Sequence, residues 1–329
     1  MQIQNINILD YNETEVHEYV PTEINECFPF RDNANVTWIN VSKLDKDVVH
    51  ALCLHYNIHY LLELDILSKG QRPKIDEQDN IIFCLLNMLR IDQQDNSVNK
   101  EQVSIVLGPG FIITFQEEPN FDAFESIRKE IRADKSRIRL KGADFLCYAL
   151  LDAIVDDYQD IIDDFGDRIE TEEDALVLSK DFNFSIKEVT RLRKDLMLLR
   201  RNILPVRELV NNFLKTNNPL IDKKTERYFK DVYDHILQAQ DIMESYHDSM
   251  SNLHDLYLNK SSLKMNESMN VMAIVTCLLA PATVIGGIFG MNFDHIPFLH
   301  DYNSFWVILT ILFIVFLLML VYFRKKKWI

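Results

Sequence analysis

The sequence predicts an α/β amino-terminal domain followed by long helices, the last two of which cross a membrane. Three observations predict it. Short runs rich in β-branched and aromatic residues stand in the stretch that ends at Phe115. No proline or glycine occurs between Pro219 and Pro281. Two uncharged stretches of 19 residues, Val271–Phe289 and Phe305–Phe323, stand near the carboxyl end.

The first of these features defines residues 1–140 as the α/β domain. NVTWINV (35–41), NIIFCLLNML (80–89) and VSIVLGPGFIITF (103–115) read as strands, the last broken by a glycine-proline-glycine turn. Residues 141–218 follow as a helical hairpin. Its first arm, Asp144–Leu176, is acidic, with an apolar face of Phe145, Leu146, Ala149, Leu150, Ala153 and Ile154. The second arm, Ile186–Leu204, is basic. An antiparallel turn near DFNFS (181–185), with complementary charge helping to set register, is expected.

Residues 219–289 carry the helix that the missing prolines and glycines allow. Phe229, Val232, Ile236, Ala239, Met243, Tyr246, Met250, Leu253 and Tyr257 recur in steps of three and four, a heptad stripe. Packing on the chain's own helices would explain it. The expectation taken here is instead that copies gather round a common axis along the stripe and continue into the first span, because one inner helix cannot enclose a path for anything polar.

Each span is long enough at about 1.5 Å per residue to cross roughly 30 Å of hydrocarbon. In the first, Pro281, Thr283, Gly286 and Gly287 are unusual for a simple lipid anchor and suit an inner helix. The second, FWVILTILFIVFLLMLVYF, has no polar face and reads as lipid-facing. Residues 324–329 are a basic tail, Lys260 and Lys264 precede the first span, and the connection 290–304 has no lysine or arginine. The excess of positive charge on the inner side of membranes then puts both termini in the cytoplasm and the connection outside.

The formal net charge of −15 makes nucleic acid a poor partner, since phosphate binding needs a basic footprint. Cys27, Cys53, Cys84, Cys147 and Cys277 are scattered, without metal-ligand spacing, and read as reduced packing residues. The amino terminus lacks the basic start and apolar core of a signal peptide, so a cytosolic body is expected. No phosphate-binding loop, H-E-x-x-H or G-x-S-x-G motif is present, so enzyme chemistry and an organic cofactor are not expected.

Oxygen chemistry remains, in the connection that opens FGMNFDHI: the Asn292 amide, carbonyls freed where a helix ends near Gly290, and the carboxylates of Asp294 and Asp301. Magnesium dehydrates reluctantly, so a ring of neutral oxygens that holds its waters can recognise it without stripping them.

These features coincide with motifs that resemble the CorA magnesium transporters of the two-span, Gly-Met-Asn class. The resemblance is carried by LDILSKGQRPKI (64–75), EQVSIVL (101–107), LLDAIVDDY (150–158), YFKDVYDHI (228–236), KMNESMNVMAIVT (264–276), GIFGMNFDHIP (287–297) and the closing VYFRKKKWI. It implies a funnel-shaped homopentamer in the cell inner membrane, passing hydrated Mg2+, with Co2+ and Ni2+ as further candidate cargo. By resemblance, Gly290, Met291 and Asn292 form the selectivity filter, and Asn266, Met269, Met272, Thr283, Gly287 and Asp255 line the pore. Asp65 and Asp231 match acids that bind intracellular Mg2+ between neighbouring subunits and close the channel. Asp294 and Asp301 remain to attract cations, because Phe298 and Leu299 stand in a loop that often carries another carboxylate. Two further departures are Ala280, where a methionine is common, and Gly70, where a histidine is common. The alternatives are a zinc transporter of the related branch, which shares Gly-Met-Asn, and a membrane-anchored coiled-coil sensor that conducts nothing.

Overall fold

The structure, a computed structural model, describes residues 5–32, 34–78, 80–92, 96–117, 124–134, 136–178, 186–291 and 303–326. By internal contacts the chain divides into two units. One comprises Met1–Ala175 with Ser185–Leu253, and the other Leu176–Phe184 with His254–Ile329.

The first unit is built on a seven-stranded sheet. Its strands are β1 (Ile6–Tyr11), β2 (Val16–Tyr19), β3 (Val36–Val41), β4 (Lys74–Gln78), β5 (Ile81–Ile91), β6 (Val98–Gly108) and β7 (Phe111–Gln116), in the order β2-β1-β3-β7-β6-β5-β4. Only β3 and β7 run parallel, with Trp38 opposite Ile112; the other pairs are antiparallel. Residues 81–89 of β5 are buried without alternation, which is what a strand covered on both faces requires.

One face holds a core in which Ile8, Ile39, Phe83, Val106 and Ile113 meet Val49, Leu52 and Cys53 of α1 (Lys46–His55) and Leu62 and Ile66 of α2 (Tyr60–Leu67). Asp45 starts α1 by accepting hydrogen bonds from the amides of Asp47 and Val48 at 3.0 and 3.3 Å. Elsewhere on the sheet Trp38 donates its indole N–H to Thr114 Oγ1 at 2.9 Å and meets Phe124 edge-on, next to α3 (Glu125–Arg132).

The turn between β6 and β7 is Gly108-Pro109-Gly110-Phe111. Proline supplies the first central φ and Gly110, at φ +78°, the second, a combination that bulkier residues resist. Gly70 also has positive φ, +78°, so the backbone itself accounts for glycine at that departure from the family pattern.

Three long helices complete the unit: α4 (Ala143–Leu178), α5 (Ile186–Lys215) and the early part of α6 (Lys223–Phe289). α5 runs antiparallel to both others. Asp195 pairs with Arg168 of α4 at 2.8 Å, and Phe213 stacks on Phe229 of α6 at 4.5 Å while Arg207 donates to Gln240 at 3.1 Å. The expected arms therefore form an antiparallel pair, and their turn at 181–185 lies outside the described residues. The ion pair between them is reversed in sense, with the base on the acidic arm and the acid on the basic one.

The heptad stripe requires a correction. Phe229, Val232, Ile236, Ala239, Met243, Met250 and Leu253 are all buried within a single chain. Phe229 lies against Phe213 and Tyr148, and Tyr246 against Phe165. The stripe packs on the chain's own α4 and α5 rather than on copies round an axis, because two amphipathic neighbours already cover it.

The second unit holds the rest of α6 and α7 (Ser304–Lys325). α6 passes through Pro281 without a break, and the apolar windows of both helices are almost wholly exposed.

Replacing Gly110 by valine forces a β-branched residue into a left-handed backbone and should cost about 1–2 kcal/mol. Chemical denaturation of the detergent-purified chain, followed by tryptophan fluorescence, would measure it.

Candidate functional site

Past Leu253 α6 has little cover from its own chain: among the family-matched positions, Asp255, Asn266, Met269, Met272, Thr283 and Gly287 are all exposed. At about 100° per residue these six fall within an arc of roughly 120°, one face of the helix. The face is mostly neutral, alternating thioethers with an amide, a hydroxyl and exposed backbone at Gly287. Thr283 donates its hydroxyl to Leu279 O at 3.1 Å, and Thr276, in the same arc, donates to Met272 O at 2.8 Å.

α6 ends at Phe289. Gly290 N still donates to Gly286 O at 3.0 Å, and Met291 N to Ile288 O at 3.3 Å, so the first two residues of the Gly-Met-Asn motif close the helix. Met291 is exposed. Asn292, Asp294 and Asp301 lie outside the described residues.

The two acids expected to bind a regulatory ion stand in different surroundings. Asp65, in the last turn of α2, is ion-paired with Lys74 of β4 at 2.5 Å. Asp231, on α6, is exposed and lies one turn from His235. Facing that stretch is α4, which runs parallel to α6: Tyr148 lies 5.2 Å from Tyr228, ring to ring. This registry brings Asp152 and Asp156 of α4 to His235, with ligand atoms of all three within 4.8 Å of one another.

The electrostatics of the trio suit a cation. Burial raises the pKa of both Asp152 and Asp156 and Asp231 raises both further, as does Asp156 at Asp152 and Asp160 at Asp156; His235 pulls against this at both, and the Tyr148 hydroxyl at Asp152. Tyr148 donates its hydroxyl to Asp152 Oδ2 at 2.9 Å and fixes that carboxylate. His235 Nδ1 is buried without a hydrogen-bond partner, leaving a nitrogen lone pair or N–H unsatisfied beside two carboxylates. The carboxylates are hard donors that suit Mg2+, and an imidazole adds affinity for Co2+ or Ni2+.

Sequence alone does not single out Asp152, Asp156 and His235, because acid runs are usually solvated faces and lone histidines usually pack. The signal was the shared four-residue spacing, 152 with 156 and 231 with 235, which puts two donors on one face of each helix.

Residues 33–325 match the model of the CorA-like Mg2+ transporter protein family. The cobalt/magnesium transport protein CorA of Thermotoga maritima is 37% identical over 325 residues, covering 98% of this chain and 92% of its own. The complete structure of the CorA magnesium transporter from Methanocaldococcus jannaschii is similar with a TM-score of 0.81 at 21% identity, over 100% of both chains. The ZntB cytoplasmic domain from Vibrio parahaemolyticus is similar with a TM-score of 0.59 at 16% identity, over 78% of this chain and 99% of that one. At these identities the two structural likenesses bear on fold alone.

Beside the trio, burial lifts the Asp157 carboxyl from 3.8 to about 6, helped by repulsion from Asp160 and Asp156. The folded chain thus holds this proton more tightly than the unfolded chain does. Stability is greatest below the unfolded value and is lost as pH rises through the window from about 4 to 6. Asp157→Asn should stabilise the metal-free protein by about 1 kcal/mol near pH 8, after screening is allowed for, and by nothing near pH 4. Denaturation in chelator at the two pH values would check it.

Proposed function

The chain belongs to the CorA-like Mg2+ transporter family, and on that premise we propose that it carries hydrated Mg2+ passively inward through a homopentameric pore. It is an ion transporter rather than an enzyme. Co2+ and Ni2+ are further cargo, since they share the charge and hydration that the pore would recognise. The observation that carries this reading is the uncovered half of α6, whose neutral face runs from Asn266 to Gly287 and stops at Gly290 and Met291.

One such face cannot surround an ion. Several copies arranged with these faces inward would enclose a path, and α7, apolar and mostly exposed, would meet lipid. Five copies is the number the family resemblance implies. With the basic tail and both termini in the cytoplasm, the Asn292 amides ring the outer mouth in the inner membrane. Asp294 and Asp301 raise the local cation concentration there. A membrane potential of 100 mV, inside negative, is worth about 4.6 kcal/mol for a divalent ion, so influx needs no other fuel.

Intracellular Mg2+ closes the pore by bridging neighbouring subunits through Asp65 of one and Asp231 of the next, with Asp152, Asp156 and His235 adding donors beside Asp231. When cytosolic Mg2+ falls the bridge is lost and the subunits are free to move. Such feedback matches uptake to need.

Asn292→Ala should abolish Mg2+ entry into proteoliposomes loaded with a magnesium-sensitive dye, while size-exclusion chromatography shows unchanged assembly. Wild-type uptake by that variant would overturn the filter assignment. Zinc influx driven by a proton gradient, with Mg2+ excluded, would favour the zinc reading, and no flux of any cation the non-conducting one. Asp231→Lys should raise the cytosolic Mg2+ needed for half-closure at least about tenfold, by replacing attraction with repulsion; unchanged closure would remove Asp231 from the regulatory site.

A further inference from the structure

The Asp65 carboxylate is already held. Lys74 reaches across from the edge strand β4 and places Nζ 2.5 Å from Asp65 Oδ2. Asp65 lies in the last turn of α2, where the helix offers outward carbonyls and no favourable field for an anion. A cation is needed there in any state of the protein, and Lys74 supplies one from within the chain.

The two partners are not equally fixed. The backbone at Asp65 is pinned: its carbonyl accepts from Gln102 Nε2 at 3.1 Å and from Ser68 N at 3.3 Å. Gln102 is itself buried, and its other amide atom accepts from Gln71 N at 3.3 Å. Lys74 is an unbranched side chain, one third exposed, on an edge strand, and its head can swing into water without disturbing the core. The carboxylate is therefore a stationary ligand and the ammonium a movable occupant.

We propose that Lys74 is a tethered competitor for the divalent cation at Asp65, and that its displacement sets the cytosolic Mg2+ concentration at which the channel closes. This rests on the reading of Asp65 as a regulatory ligand. Mg2+ arriving at Asp65 meets a neutralised carboxylate and must exchange with a monovalent cation that stays on a short leash. Closure then responds to Mg2+ at a higher concentration than a bare carboxylate would allow. The exchange also refills the site when Mg2+ leaves, so the open state carries no uncompensated anion.

The test is the Mg2+ dependence of closure in full-length protein reconstituted in bilayers, with Lys74→Met, Lys74→Arg and Asp65→Asn compared. Lys74→Met keeps the apolar stem and removes the charge. It should lower the half-closing Mg2+ concentration roughly three- to tenfold, the scale of one partly buried ion pair. Lys74→Arg should stay within about twofold of wild type, because the charge is retained. Asp65→Asn should raise the half-closing concentration, and adding Lys74→Met to it should then change nothing. Closure of Lys74→Met at the wild-type concentration, with Asp65→Asn still shifted, would overturn the competitor and leave the regulatory site standing. Closure of Asp65→Asn at the wild-type concentration would overturn both. If Lys74→Met assembles poorly, the midpoint of the Mg2+-induced rise in melting temperature of purified Lys74→Gln provides the same comparison, and an unchanged midpoint counts against the proposal.

Discussion

α6 is one uninterrupted helix with covered and uncovered lengths, and the rest of the molecule follows from that contrast. As far as Leu253 its apolar stripe is sealed by α4 and α5. From His254 onward its side chains have almost no cover. From Val271 to Phe289 that uncovered surface is apolar and unstable in water, so it requires lipid, further copies of the chain, or both. The intrachain bundle thereby uses up the apolar stripe as far as Leu253 and leaves the apolar surface beyond it open.

Much of this was legible in the sequence. β3, β5 and the β6–β7 hairpin announced themselves through apolar runs and the glycine-proline-glycine turn. The two spans were plain from length and lack of charge. β2 and β4 were not legible, because VHEY and KIDEQ are edge strands whose polar residues face water, and only pairing with the neighbouring β1 and β5 makes them strands. The heptad stripe was visible but its partner was not. A period of three and four records that a helix face is buried and says nothing about whether a sister chain or a neighbouring hairpin buries it. The candidate metal donors beside Asp231 were obscured for a related reason: their juxtaposition depends on α4 and α6 running parallel, a consequence of the intervening antiparallel α5.

The electrostatics of the first unit bear on the same bundle. α4 concentrates acids along its length, and burial holds several of them above their ordinary pKa. Such crowding costs stability when the carboxylates ionise near neutral pH, and a bound divalent ion would relieve that cost at the stretch where His235 and Asp231 stand. Under the proposed regulation, a binding region strained without its ion and relaxed with it would couple the metal to the packing of the first half of α6.

The threonines of α6 carry one more implication. Thr283 and Thr276 spend their hydroxyl hydrogens on carbonyls of the preceding turn. What each turns outward is lone pairs alone. A metal ion wrapped in water orients its oxygens inward and shows its surroundings hydrogens, which neutral hydroxyl lone pairs can accept while giving a bare metal no anionic hold. If this face lines the proposed path, such oxygens favour ions that keep their shell over ions that readily shed it.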